Sequence, residues 1–283
     1  MSPVQPVRGG ADLLRDIDQS LPERPTLWWL GHAGWVIKYH DIVFYLDPYL
    51  SDHFAGAAPP ARPRLIASPL DPARIRHADL VLCSHTHAAH MDPETLLPLL
   101  AASPHCKLVL PRSAAEYARR IGIDYSRMTT TDSGLRVEFF RNELYVRIYA
   151  APSAHEALDW TVAGGHPYLG YLIRYGDCTI YHAGDCVPYD GLAERLRPFN
   201  VTVALLPING RDPARGVPGN FDAAEAAQLA EEIGARWLIP MHYGMFDFSS
   251  VDVNRFVDHM LGFHPAVRFK VFGCGEGWTV PAD

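Results

Sequence analysis

Leu80-Val81-Leu82-Cys83-Ser84-His85-Thr86-His87-Ala88-Ala89-His90-Met91-Asp92-Pro93 is the stretch on which the fold turns. Its first four residues are an apolar run too short for a helix, and they read as a buried strand. Three histidines follow within six residues. Asp92-Pro93 then reads as a helix start, with Asp as N-cap and Pro at the first helical position. Neutral imidazole is the commonest side-chain metal ligand. A strand–loop–helix junction carrying His85, His87 and His90 therefore places donors on a loop held by rigid elements. His85 and His87 are two apart, so in an extended segment they share a face. His90 lies where the chain turns into the helix.

The same arrangement recurs along the chain. Residues 146–151 lead into Pro152-Ser153-Ala154-His155, 179–181 into His182-Ala183-Gly184-Asp185, and 237–240 into Met241-His242. A donor just past a strand end sits on the rim of a sheet, and four such loops on one rim can converge on one site. His182 stands in the strand and reads as structural. β-rich runs at 27–30, 34–39 and 42–46 predict an antiparallel meander. Further strands are predicted at 107–110, 135–140, 144–150, 169–175, 178–181, 201–206 and 269–272, and helices over 113–121, 222–233 and 253–261. The 222–233 helix opens with a D-x-x-E capping box, Asp222 and Glu225. Hairpin strands followed by strands alternating with helices predict an α/β architecture of two mixed sheets covered by helices.

The chain has 283 residues, of which 48% are hydrophobic and 20% charged, an ordinary globular composition. Lys+Arg number 25 against 32 Asp+Glu, a formal net charge of −7, which excludes a whole-surface basic footprint for nucleic acid. No apolar stretch reaches the ~18 residues of a membrane span, and the N-terminus has no apolar signal region. A cytoplasmic protein with neither nucleic-acid nor membrane partners is expected. The five cysteines are odd in number and lack C-x-x-C spacing, so they read as small buried hydrophobes. The 14 histidines are the unusual figure. Residues 1–25 read as a peripheral arm with one short helix, and the Pro- and Ala-rich residues 55–64 as a surface loop. With no second such linker, one domain over residues 1–283 is expected. Homo-oligomerisation is left open.

His85-Thr86-His87-Ala88-Ala89-His90, a later strand-end His155, Gly184-Asp185 and a final His242, in this order, resemble the metallo-β-lactamase-fold superfamily of metal-dependent hydrolases. The likeness runs from about Thr26 to Thr279. It implies an αββα sandwich with the metals at the edge between its two sheets. Carried over by motif, the first metal takes His85, His87 and His155, the second takes His90 and His242, and Asp185 bridges both. The family pattern H-x-H-x-D-H puts an Asp where this chain has Ala89. That Asp ligates the second metal and helps hold the attacking water, and a methyl group does neither. Ala89 therefore reads either as an introduced inactivating substitution or as the mark of a natural one-metal or weakened two-metal site. Asp92 reads as the helix N-cap rather than as a replacement. Residues 28–35 (WWLGHAGW), Phe44-Tyr45-Leu46-Asp47-Pro48-Tyr49 and His90-Met91-Asp92-Pro93 resemble the L-ascorbate-6-phosphate lactonase-like branch. Thr86 and Ala89 do not fit the diiron flavoproteins, which need Glu and Asp there.

The resemblance implies a hydrolase that opens a lactone or cyclic ester in a small-molecule substrate by attack of metal-bound hydroxide. A His-rich, thiolate-free donor set suits one or two divalent ions, Zn or Mn, with Fe and Ni also compatible. Asp47 resembles the family carboxylate that stands behind a ligand histidine and fixes its tautomer. His32, Asn209, Arg211 and Tyr243 are candidates for lining the pocket, Asn209 and Arg211 for touching an anionic substrate. Two other function classes stay open: a catalytically impaired metal-binding protein and a phosphodiesterase of the same fold. No G-x-S-x-G elbow supplies a serine nucleophile, and GCGEG at 273–277 fails dinucleotide-fingerprint spacing.

Overall fold

The computed structural model describes residues 3–52 and 63–282. The chain divides into two compact units, residues 1–130 with 245–247 and 272–283, and residues 131–244 with 248–271. The described strands form two seven-stranded mixed sheets, the α/β class expected.

In the first unit β1 (Thr26–Gly31), β2 (Gly34–Tyr39) and β3 (Ile42–Leu46) form the predicted antiparallel meander. Parallel strands β4 (Leu80–Leu82) and β5 (Lys107–Pro111) extend it from β3, and β6 (Met128–Thr131) lies beyond β5. β14 (Gly277–Thr279) closes the other edge beside β1. β1 to β4 are buried almost throughout, as strands covered on both faces are. Helix α1 (Gly10–Gln19) buries Leu13, Leu14 and Ile17 in the core that also holds Val36, Val43 and Tyr45. The Lys38 ammonium donates to the carbonyls of Ile17 at 2.5 Å and Asp18 at 3.1 Å, placing a cation on the negative end of α1. Helix α2 (Pro93–Ala102) starts at Asp92, whose carboxylate accepts from Glu94 N–H. Helix α3 (Ala115–Arg120) follows β5. β3 and β4 are parallel, and β1 runs the same way as β3 through two antiparallel pairings. The C-terminal ends of β1, β3 and β4 therefore share one edge, and His32, Asp47 and Ser84–His90 follow those ends.

In the second unit β7 (Arg136–Arg141), β8 (Leu144–Pro152), β9 (Leu169–Tyr175) and β10 (Cys178–His182) are antiparallel neighbours. Strands β11 (Val203–Pro207), β12 (Trp237–Met241) and β13 (Arg268–Phe269) continue from β10 in parallel. Helices α4 (Leu192–Leu196), α5 (Ala223–Glu232) and α6 (Val253–Phe263) complete it. α5 opens with the predicted capping box, Asp222 accepting from Glu225 N–H while Glu225 accepts from Asp222 N–H. β8, β10, β11 and β12 share one direction, so His155, Asp185, Asn209 and His242 all follow strand ends at one edge.

Some expectations are corrected. The strand expected at 269–272 is only Arg268–Phe269, because β13 pairs with β12 at two residues. β6, β14 and α4 were not foreseen. They are three to five residues long, too short for a periodic signal. Most of the surface loop expected at 55–64 lies outside the described residues. Arg64 within it is buried, its guanidinium donating to the Tyr49 and Ile66 carbonyls at 2.9 Å. All five cysteines are free and buried, as expected. Burial pushes the thiols of Cys106, Cys186 and Cys274 up to about 12. Among the described residues no helix is long and apolar enough to cross a membrane.

Candidate metal centre

In the first unit a relay of hydrogen bonds organises the histidine loop. Asp47, 1% exposed, follows β3 and sits beside Ser84, which follows β4. Its Oδ1 accepts from Ser84 N–H at 2.7 Å, and its Oδ2 accepts from Ser84 Oγ–H at 2.5 Å and from His90 Nδ1 at 2.7 Å. The one hydroxyl proton of Ser84 goes to Asp47. Ser84 Oγ, 2.9 Å from His85 Nδ1, is therefore the acceptor of that contact. A single carboxylate thus holds the proton on Nδ1 of both rings, His90 directly and His85 through Ser84. Both leave Nε2 as a lone pair, the form a metal needs. The His85 ring lies 4.6 Å from that of His87 and 4.1 Å from that of His90. The loop is a bend and turn, with His87 carbonyl accepting from His90 N–H, so His85 and His87 meet through curvature and not through the extended alternation expected. His87 is exposed, and Ala89 is 8% exposed.

In the second unit the carboxylate is Asp185, 4% exposed. Its Oδ2 lies 3.5 Å from His155 Nε2 and its Oδ1 lies 3.4 Å from His242 Nε2. His155 Nδ1 is 2.7 Å from the Gly219 carbonyl, which only accepts, so Nδ1 carries the proton and Nε2 of the neutral ring a lone pair. That lone pair faces an anionic oxygen inside a buried cluster. With the ring neutral, a lone pair and a carboxylate oxygen set this way suit a cation ligated by both. Two donors about 2.1 Å from one tetrahedral ion stand roughly 3.4 Å apart, which matches both separations. The donor set therefore fits a divalent metal.

A family model described as a beta-lactamase superfamily domain matches residues 43–243, most of the chain. The chain belongs to the beta-lactamase superfamily. It is 28% identical over 237 residues to a metal-dependent hydrolase of Pyrococcus horikoshii, covering 80% of this chain and 88% of that one. It is 24% identical over 235 residues to the N-acyl-phosphatidylethanolamine-hydrolyzing phospholipase D 1 of Caenorhabditis elegans, covering 79% of this chain and 65% of the relative. Among solved structures it is similar to a possible metal-dependent hydrolase from Veillonella parvula, with a TM-score of 0.72 at 15% identity, covering 90% of this chain and 99% of that one. The fold is the metallo-β-lactamase fold that the motif order implied.

Within this superfamily chain the remaining candidates separate. His32 is 3% exposed, and its ring meets that of His90 edge-on at 5.4 Å. Asn209 is 3% exposed, at the end of β11, between the strands that carry Asp185 and His242. Neither polar atom of its carboxamide has a partner among the described residues. Tyr243 is buried beside His242 in sequence. Arg211 is spent elsewhere: it pairs with Glu225, the capping-box residue of α5, and donates to the Asn220 carbonyl at 3.0 Å. Three candidates, His32, Asp47 and His242, are among the seven described non-glycine residues with left-handed backbone. Such strain concentrates at functional sites. Sequence reasoning missed Ser84 and Gly219, which set tautomers, and Asn220, whose Oδ1 accepts from Cys186 N–H at 2.9 Å and steadies the Asp185 loop. A cavity of about 610 Å³ in the second unit, lined by Tyr189, Leu192, Leu229 and Phe263, includes none of these donors.

Proposed function

We propose that this protein is a metal-dependent hydrolase that opens a lactone or related cyclic ester of a small molecule. The carrying observation is Asp185, a buried carboxylate with one oxygen facing His155 Nε2 and the other facing His242 Nε2. A carboxylate disposed in this way suits a bridge between two ions. If the ligand order of the family holds here, His85, His87 and His155 would hold one ion and His90 and His242 the other, with Asp185 shared. Zn or Mn suits this set. When bound, a divalent ion supplies Lewis acidity, drawing the pKa of water toward ~7 and taking up charge that develops on the substrate oxygen.

The chain's own residues do the positioning. Asp47 and Ser84 keep His85 and His90 in the donor tautomer, and the Gly219 carbonyl does the same for His155. The buried carboxamide of Asn209 offers an N–H to a substrate oxygen. Ala89 brings no side-chain oxygen to the turn between His87 and His90, which supports a weakened second ion and reduced turnover. Five cysteines outside any disulfide support a reducing, cytoplasmic setting.

A second reading is a phosphodiesterase, favoured by the likeness to the phospholipase D of C. elegans. Elemental analysis of metal-replete protein, with kcat/KM on panels of lactones, esters and phosphodiesters, tests both. Lactone turnover that disappears in His155→Ala is the expected result. Turnover confined to phosphodiesters selects the second reading. Metal bound without turnover on any panel overturns both in favour of a binding protein.

A further inference from the structure

We infer that His32 is a metal donor, joining His90 on the second ion. The inference rests on the reading of a two-ion centre given above.

His32 follows β1 and His90 lies in the loop after β4, two strand ends on the same edge of the first sheet. Each presents a ring nitrogen within 4.8 Å of the other's. Both residues are nine-tenths buried or more. Asp47 fixes the His90 proton on Nδ1, so the nitrogen left to face an ion is Nε2. The carboxylates nearby in the fold are already committed. Asp47 takes its three hydrogen bonds from Ser84 and His90. Asp92 accepts from Glu94 N–H at 3.2 Å and from Thr95 Oγ1–H at 2.5 Å as the cap of α2. The side chains of the turn between His87 and His90 are only the methyl groups of Ala88 and Ala89. An ion on His90 therefore finds its next donor of the first unit in His32.

The backbone points the same way. His32 sits at φ +54, a left-handed conformation that favours glycine or asparagine. The turn is held by Trp29, whose indole N–H donates to the His32 carbonyl at 3.0 Å, and Phe246 packs edge-on against the imidazole at 5.6 Å. A strained left-handed side-chain residue of this kind is one that clusters at active sites and ligand clamps.

The test is Co²⁺ titration of metal-free protein, read by bound equivalents and by the visible absorption of the ion. His32→Asn suits the left-handed backbone, and His32→Ala serves as the second variant. Thermal melts of the metal-free forms control for folding. Wild-type protein is expected to bind two equivalents. His32→Asn should keep the tighter one and lose at least tenfold in affinity for the other, with a changed spectrum. Two equivalents held within twofold of wild type by both folded variants overturns the role of His32 alone, whereas a single equivalent in the wild-type protein overturns the two-ion reading. Wild-type protein that binds no Co²⁺ overturns the two-ion reading and the inference with it.

Discussion

Replacing Asp47 by Asn tests the relay at its centre, because the change is nearly isosteric and alters the charge and where protons sit while leaving the packing in place. Asp47 accepts from Ser84 N–H, Ser84 Oγ–H and His90 Nδ1–H, at 2.7, 2.5 and 2.7 Å. Asn has one acceptor oxygen, and the backbone N–H of Ser84 claims it. The new amide N–H₂ then points where Ser84 Oγ and His90 Nδ1 used to donate. His90 can meet it only by accepting at Nδ1, which moves its own proton to Nε2 and closes the lone pair meant for a metal. Ser84 loses the acceptor of its hydroxyl proton, so the tautomer of His85 is no longer imposed. Removing a partner that orients a ligand histidine commonly costs 10–100-fold in metal affinity, about 1.4–2.7 kcal/mol. The effect belongs at the upper end for the ion on His90. Losing a buried charge-assisted hydrogen bond also lowers metal-free stability by roughly 1–3 kcal/mol. Competition against a chromophoric chelator measures the first quantity and urea denaturation the second. Affinities for both ions within twofold of wild type, in a folded Asp47→Asn protein, would refute the relay.

Four further outcomes are expected. Ala89→Asp should raise kcat/KM on the lactone panel, by about 10²–10³ if the position restores a preorganised contact; equal or lower activity with two metals demonstrably bound rejects the view that Ala89 is a lesion. Asn209→Ala should lower kcat/KM about 3–10-fold, the worth of one hydrogen bond, without changing metal content; unchanged kinetics would remove Asn209 from the site. Burial pulls His77 below the usual histidine range against the opposing pull of Asp18, so its folded form binds fewer protons than the unfolded chain. The stability it contributes is present above pH ~6.5 and is lost as pH falls through the lower folded value, so urea midpoints should drop on acidification, less so in His77→Gln; equal slopes in the two proteins would contradict this. A Cβ at Gly275 would lie 1.8 Å from the Arg8 carbonyl oxygen, at φ +84, and Gly275→Ala should cost more than the ~1–3 kcal/mol of the strained backbone alone; a urea-measured loss below about 1 kcal/mol would be inconsistent with that clash.

What the sequence showed of this fold were the features encoded locally. Apolar runs that lead into His or Asp marked four strand ends, and Asp92-Pro93 and the Asp222/Glu225 pair marked two helix starts that the structure places there. The carboxylate of the relay, Asp47, was reached through the family resemblance, but its partners were not legible. Asp47 and Ser84 meet only because β3 pairs with β4 in parallel at Leu46 and Leu82. Gly219 reaches His155 across 64 residues of chain. His32 lies near His90 for the same kind of reason, the shared direction of β1 and β4. Ser84 stands directly before the first histidine, which was the hint available for that residue. The pairing of Arg211 with Glu225 was not legible, because a long cation says nothing about its partner until α5 brings Glu225 beside it.

The five buried thiols make this molecule its own reporter of opening. Cys83, Cys106 and Cys274 lie in the first unit, and Cys178 and Cys186 in the second. Each is shut away from solvent, and burial holds Cys83 and the three thiols near 12 in their unreactive protonated form at neutral pH. An alkylating reagent therefore labels a thiol only as fast as its surroundings part. Pulsed labelling read by peptide mass would time the two sheets separately, without a fluorophore or an engineered cysteine. Adding metal during the pulse would show which sheet the ion holds closed.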